Sequence, residues 1–275
     1  MRTVEPLLGT RAQVGVDVAD ASARRFTEDA VVAEVARLEA IFTVFSPDSA
    51  LHAYRRSGRT DVAELQIVLD LAVEWQQRTG GCFDPRLQAV TELWDRAEQA
   101  GVAPSPQMLA EAVASDRPLG NLNAIAKGWI ADRALEVVSA RSLWLNLGGD
   151  VVHRGEGSIT VGVEDPHRPY DNVEPLTTLE LSNGAVATSG GTRRSWRIAG
   201  QRYPKVLDPR TGRPVDHVAS ATVLADDAAT ADVLATVAVV ASPEETLDLV
   251  RQVGADCLLV LKDRSVVTSS DVFGS

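Results

Sequence analysis

Residues 225–240 read Ala-Asp-Asp-Ala-Ala-Thr-Ala-Asp-Val-Leu-Ala-Thr-Val-Ala-Val-Val, and the rest of the chain is organised around them. Alanine and valine dominate the stretch, which predicts a buried helix. It still carries Asp232 and Thr236, four residues apart, so both side chains fall on one face, one turn above the other. A carboxylate inside an apolar helix needs a partner, because an unpaired buried charge is very costly. A hard divalent cation such as Mg²⁺ takes oxygen ligands and would satisfy both side chains. The competing reading is local. Asp226, Asp227 or Thr230 caps the helix, and Asp232 lies in its first turn near the positive end of the dipole.

At 275 residues, 45% hydrophobic and 24% charged, the chain has the composition of a soluble globular protein. No linker or repeat divides it, so one domain over residues 1–275 is expected. A net charge of −11 argues against nucleic-acid binding, which needs clustered Lys and Arg. No apolar run is long enough to span a bilayer. The opening MRTVEPLLGT has no apolar h-region, lipobox or basic n-region. A cytoplasmic location is expected for the chain as given, and an exported one if a leader was removed. Cys82 and Cys257 lie far apart with no CxxC, and their redox state stays open. The four histidines, at 52, 153, 167 and 217, have no metal-ligand spacing and read as surface or loop residues. His217 follows a Pro- and Gly-rich turn and comes within reach of whatever that turn serves.

Working outward from the organising helix, Ser220–Leu224 reads as the strand that feeds it, and Pro243–Gln252 as a further helix. Cys257–Leu261 and Val266–Thr268 read as a closing hairpin. Upstream, Leu7–Val18 contains a strand, Ser22–Phe42 a helix, and Val62–Arg78 an amphipathic helix ended by Gly80-Gly81. Pro47-Asp48-Ser49 forms a turn whose Asp or Ser caps a short helix. Trp94–Val113 reads as peripheral helix and loop. Trp129–Ala140 reads as a helix with Asp132 in its first turn. Just before it, Asn121–Gly128 places small residues and Lys127 at a helix start, a pattern suited to an anion. Leu143–Leu147, Ile159–Val163, Leu176–Leu181, Ala185–Thr188, Trp196–Ile198 and Lys205–Leu207 read as strands. Gly148-Gly149 at the end of the first of these lets a ligand lie against the backbone. Strands and helices mix without regular βαβ alternation, which points to an α+β fold.

Several blocks then fall in the order of a known family. They are Gly9-Thr10, Pro47-Asp48-Ser49, Gly81-Cys82-Phe83-Asp84-Pro85, Ala126-Lys127-Gly128 with Asp132, Asn146-Leu147-Gly148-Gly149-Asp150 and Gly162-Val163-Glu164-Asp165-Pro166. Ala187-Thr188-Ser189-Gly190, Leu207-Asp208-Pro209-Arg210-Thr211-Gly212 and the Asp232/Thr236 pair complete the set. With them the chain resembles the ApbE family of FAD:protein FMN transferases, and Thr-Arg-Arg-Ser-Trp at 192–196 resembles its actinobacterial members. The resemblance implies a single α+β domain with mixed or antiparallel sheets flanked by helices, related to the T-fold, with FAD in a cleft between lobes. It implies transfer of the FMN half of FAD to a Thr or Ser hydroxyl of an acceptor flavoprotein, with Mg²⁺ required and AMP released. The metal would be held by Asp232, Thr236 and the Ala124 carbonyl. FAD contacts would fall on Leu8, Phe45, Cys82, Phe83, Asp84, Asn121, Lys127 and Leu207, with Gly148 and Gly149 near the flavin and Thr188 and Ser189 near the phosphates. The family's histidine, three residues before the Asp-Pro-x-Thr-Gly turn, is replaced here by Lys205. Asn121 stands where an Asp is common and Arg55 where an Asn is usual. Lys205 and Asp208 are therefore the expected catalytic groups. An FAD-binding protein without transfer, and an FAD pyrophosphatase giving free FMN, remain the alternatives.

Overall fold

The computed structural model describes residues 1–115, 118–168, 173–190 and 195–274. Thr192-Arg193-Arg194 lies outside the described residues. The chain opens with strands β1 (Arg2–Leu7) and β2 (Thr10–Asp17). Helices α1 (Ala21–Phe42), α2 (Ala50–Ser57), α3 (Ala63–Arg78), α4 (Gln88–Ala100), α5 (Pro106–Val113) and α6 (Ala126–Glu136) follow. Then come β3 (Ser142–Leu147), β4 (Asp150–Gly155), β5 (Ile159–Val163), β6 (Thr177–Leu181) and β7 (Gly184–Gly190). Short strands β8 (Ser195–Ile198), β9 (Gln201–Pro204), β10 (Leu207–Asp208) and β11 (Arg213–Pro214) lead to β12 (Val218–Ala225). Helices α7 (Ala228–Val240) and α8 (Pro243–Val253) precede the closing strands β13 (Asp256–Leu261) and β14 (Val266–Thr268).

Eight strands form one sheet in the order β1-β2-β3-β4-β7-β12-β13-β14, with antiparallel pairing at each step. Three two-stranded ribbons, β5–β6, β8–β9 and β10–β11, stand apart from it. This is the expected α+β class, with the pairings antiparallel rather than mixed. Central strand β12 is buried at seven of its eight positions, so it reads as a continuous apolar run rather than an alternating one. Helix α7 packs on β7 and β12. Its Val233, Leu234, Val237, Val239 and Val240 are all buried. Each such side chain contributes on the order of 1.5–3 kcal/mol, which fixes α7 against the sheet.

Asp227 caps α7, accepting from Thr230 N at 2.7 Å, so one of the three expected cap candidates takes that role. Asp132 has a different place from the expected one. Helix α6 begins at Ala126, so Asp132 is its seventh residue and not in its first turn. Its carboxylate instead reaches the first turn of α7, accepting from Ala228 N at 2.9 Å and Ala229 N at 3.0 Å, with Arg154 at 3.0 Å. It thus satisfies N-terminal donors of a neighbouring helix. Burial pushes its pKa up to about 6, against the bonds from Ala228 and Ala229. Gly128 permits the close α6–α7 approach, since a Cβ there would lie 2.1 Å from the Ala228 carbonyl oxygen.

Two further expectations change. Trp94 is 3% exposed, not peripheral, because it stacks on Trp196 with centroids 5.5 Å apart in a second apolar cluster. His153 is fully buried on β4, not in a loop; one ring nitrogen is 3.0 Å from the Ser142 hydroxyl and the other accepts from Asn183 N at 3.2 Å. Both nitrogens are satisfied, so burial is tolerated. No helix among the described residues is long and apolar enough to cross a membrane.

Candidate functional site

A cavity of about 780 Å³ opens where the start of α6, the β3–β4 turn, β7 and α7 meet the residues that follow β9. The sheet and helices supply its walls for distinct local reasons. The β3–β4 turn is the Gly148-Gly149 pair, both at positive φ, which brings backbone rather than side chain to the wall. Thr10 packs beneath it, so a Cβ on Gly148 would lie 2.4 Å from the Thr10 hydroxyl. Strand β7 carries Thr188 and Ser189 just before its last residue, and their hydroxyls pair with Thr222 at 2.9 Å and Thr236 at 3.1 Å.

Asp232 and Thr236 both line the cavity, as their spacing requires. Asp232 is 4% exposed and accepts from Gly128 N at 3.2 Å. Burial pushes its pKa up to about 7; Lys127 opposes that shift and Asp150 adds to it. Lys127, the second residue of α6, lines the cavity and lies 2.5 Å from the Asp150 carboxylate. Burial also raises the pKa of Asp150, with the Lys127 charge pulling the other way. Two buried carboxylates thus share one lysine. That arrangement favours any further positive charge brought to the wall.

Ala124, Asn121, Cys82, Phe83, Asp84, Lys205 and Leu207 line the same cavity. Asn121 Nδ2 is 3.5 Å from the Thr91 hydroxyl, and Cys82 is buried. Burial raises the Cys82 thiol pKa, Arg210 lowering it in part. The structure does not bring Leu8 or Phe45 to the wall. Leu8 occupies the β1–β2 turn at φ +52°, and Phe45 is 92% exposed in the α1–α2 connection. Asp208 is drawn into its own turn, accepting from Arg210 N and Nε, both at 2.9 Å. His217 is likewise off the cavity, 2.9 Å from the Ala241 carbonyl.

Some wall residues had no clear signal in the sequence. Thr91 and Leu87 enter through α4, and Trp196 through the β8–β9 ribbon. Glu164 and Pro166 were legible only as members of a motif block.

Fold and site together define an α+β protein whose cleft joins two lysines, a helix N-terminus, a buried Asp and a half-buried Thr, a set suited to a large anionic ligand. More particularly, the chain belongs to the ApbE family, whose sequence profile matches residues 8–259. It is 28% identical to the FAD:protein FMN transferase of Treponema pallidum, over 86% of this chain and 80% of that protein. Against the FAD:protein FMN transferase of Klebsiella pneumoniae it is 26% identical, over 91% of this chain and 80% of that one. The crystal structure of the ApbE protein from Thermotoga maritima superposes with a TM-score of 0.87 at 25% identity, covering 100% of this chain and 99% of that one. The apo flavinyl transferase ApbE of Pseudomonas stutzeri shares the fold, with a TM-score of 0.79 at 21% identity, over 100% of this chain and 98% of that chain.

Proposed function

We propose that this chain binds FAD in the cleft and transfers its FMN half to a threonine or serine hydroxyl of an acceptor flavoprotein, releasing AMP. The observation that carries the reading is the gathering of Lys127, Lys205, Asp232 and Thr236 on one cavity wall, in a chain whose relatives carry that activity in their names. In the reaction the acceptor oxygen bonds to the phosphorus of the FMN half. The bridging P–O bond to the AMP half breaks, AMP leaves with the bridging oxygen, and the hydroxyl proton passes to solvent.

The chain's own groups suit that step. Transfer at a pyrophosphate depends mainly on positioning and on neutralising charge. Lys127, held by Asp150, brings a cation to the N-terminus of α6, where backbone N–H groups already favour anions. The glycine turn at 148–149 admits a flat ring against backbone. Thr188 and Ser189 add hydroxyls on the opposite strand.

Mg²⁺ fits the donor set. Asp232, Thr236 and the Ala124 carbonyl offer oxygen only, as a hard cation requires. Asp232 is a carboxylate whose pKa is raised by burial and by the Asp150 charge beside it, and a cation would offset both. Bound there, Mg²⁺ would neutralise phosphate charge and stabilise the AMP leaving group.

The test is incubation with FAD and an acceptor domain carrying a threonine flavinylation site, with Mg²⁺ or with EDTA. A fluorescent covalent acceptor band with Mg²⁺, lost with EDTA and in Asp232→Ala, is the expected result. Free FMN and AMP without a labelled acceptor would make the chain a pyrophosphatase instead. FAD bound but intact would make it a flavin carrier.

A further inference from the structure

The chain has three lysines among 27 basic residues, and two of the three, Lys127 and Lys205, line the one cleft described above. Each is held by a carboxylate that is not itself part of the cavity wall. For Lys127 that carboxylate is Asp150. For Lys205 it is Asp95 on α4, whose Oδ1 lies 3.6 Å from the Lys205 ammonium. The same Oδ1 accepts from the Trp196 indole N–H at 2.7 Å. The Lys205 ammonium in turn lies 5.1 Å from the centroid of the Trp196 ring. Trp196 is fully buried and stacked on Trp94, so this triangle stands on a rigid base.

Both contacts hold the Lys205 ammonium in place. A neighbouring carboxylate stabilises an ammonium, and an aromatic face attracts a cation. A lysine is also a compact point charge suited to phosphate oxygens. Its side chain is 41% exposed, so without a tether it would sample many rotamers.

We propose that Asp95 is a positioning residue for this transfer: with Trp196 it holds Lys205 as a fixed cation directed at the FAD pyrophosphate, and Lys205 stabilises charge rather than accepting the hydroxyl proton. The proposal rests on the transferase reading above. The competing role for Asp95 is purely architectural, because α4 also anchors β8 through Glu98, which accepts from Arg197 N at 2.7 Å.

The test is a double-mutant cycle of Asp95→Asn and Lys205→Met, in the protein loaded with FAD and Mg²⁺ and supplied with an acceptor. Asparagine keeps an oxygen for the Trp196 N–H and removes the charge. Asp95→Asn should lower kcat by up to about fivefold, the scale of a partly exposed ion pair. Lys205→Met should lower it about a hundredfold, the scale of one lost oxyanion donor. In the Lys205→Met background, Asp95→Asn should have no further effect on kcat. Lys205→Arg should recover part of the rate, and Lys205→Met should weaken binding of inorganic pyrophosphate measured by calorimetry. Multiplicative effects in the double variant, or a melting temperature lowered equally by Asp95→Asn in both backgrounds, would overturn the proposal and leave Asp95 an architectural residue. Absence of transfer by the unmodified chain would instead be a failure of the transferase reading, and would remove the proposal with it. A Lys205→Met variant as fast as the unmodified chain would sink the proposal alone.

Discussion

Replacing Gly128 with alanine tests the α6–α7 contact on which the cleft is built. In a free helix this change would help, by about 1 kcal/mol. Here the new Cβ would lie 2.1 Å from the Ala228 carbonyl oxygen, 2.5 Å from its carbon and 2.8 Å from Ala229 N. These are backbone atoms, so no side-chain rotation relieves the clash. The helices must part by about 1 Å to reach ordinary contact. Parting them stretches the Gly128 N to Asp232 bond, already 3.2 Å, and the Asp132 bonds to Ala228 and Ala229. Overpacking costs about 1–3 kcal/mol and a weakened bond to a buried carboxylate about 1.5–3 kcal/mol. Less the gain in helix propensity, the loss is about 1.5–5 kcal/mol. At about 2 °C per kcal/mol for a chain of this length, the melting temperature should fall by about 3–10 °C. The assay is a thermal melt followed by circular dichroism, paired with an FAD titration, which should show weaker binding because Asp232 is displaced. A melt within about 1 °C of the unmodified protein, with unchanged FAD affinity, would refute the reasoning.

Asp132→Ala should destabilise by about 2–4 kcal/mol in chemical unfolding, since it strands the Ala228 and Ala229 donors and removes the carboxylate that Arg154 pairs with. Gly148→Ala should weaken FAD binding about tenfold or more, because the position is at φ +64° and the new Cβ meets Thr10; an unchanged dissociation constant counts against the glycine wall. Burial, with Arg154 beside it, lowers the pKa of His153, so the folded state binds fewer protons there than the unfolded state. Its contribution to stability is therefore complete above the unfolded value of about 6.5 and is lost as pH falls below it. Asp132 and Asp232, raised to about 6 and about 7, slope the other way over the same range, so the check is the difference between the melts of the unmodified protein and of His153→Gln from about pH 7.5 to 5, which should shift in favour of the variant as pH falls. Cys257 is fully buried away from the cavity and burial raises its thiol to about 11, so a thiol reagent should not label it at about pH 7.5 until the chain is unfolded.

The organising helix and its Asp–Thr spacing were legible because a period of 3.6 puts residues four apart on one face, whatever the tertiary context. The motif blocks likewise carried Lys127, the glycine turn and Thr188-Ser189 to one cavity, since each is a local pattern. What the sequence withheld depends on contacts between distant segments. Asp132 was legible as a helix-terminus carboxylate, but the terminus it serves is 96 residues away. Trp196 and Asp95 meet across 101 residues, and no spacing announces such a pair. For Phe45 the resemblance implies an FAD contact, and the structure shows its ring exposed in the α1–α2 connection, which the Ser49 cap ends. His153 was misread because a lone histidine carries no mark of burial; the Ser142 hydroxyl and Asn183 N–H that make burial tolerable come from neighbouring segments.

The most direct measurement is mass spectrometry of an acceptor domain after incubation with this protein, FAD and Mg²⁺, with AMP quantified in the same mixture. The account predicts one phosphoester-linked FMN on a threonine or serine of each modified acceptor and one AMP for each. AMP without acceptor modification, or an unmodified acceptor beside intact FAD, would contradict it.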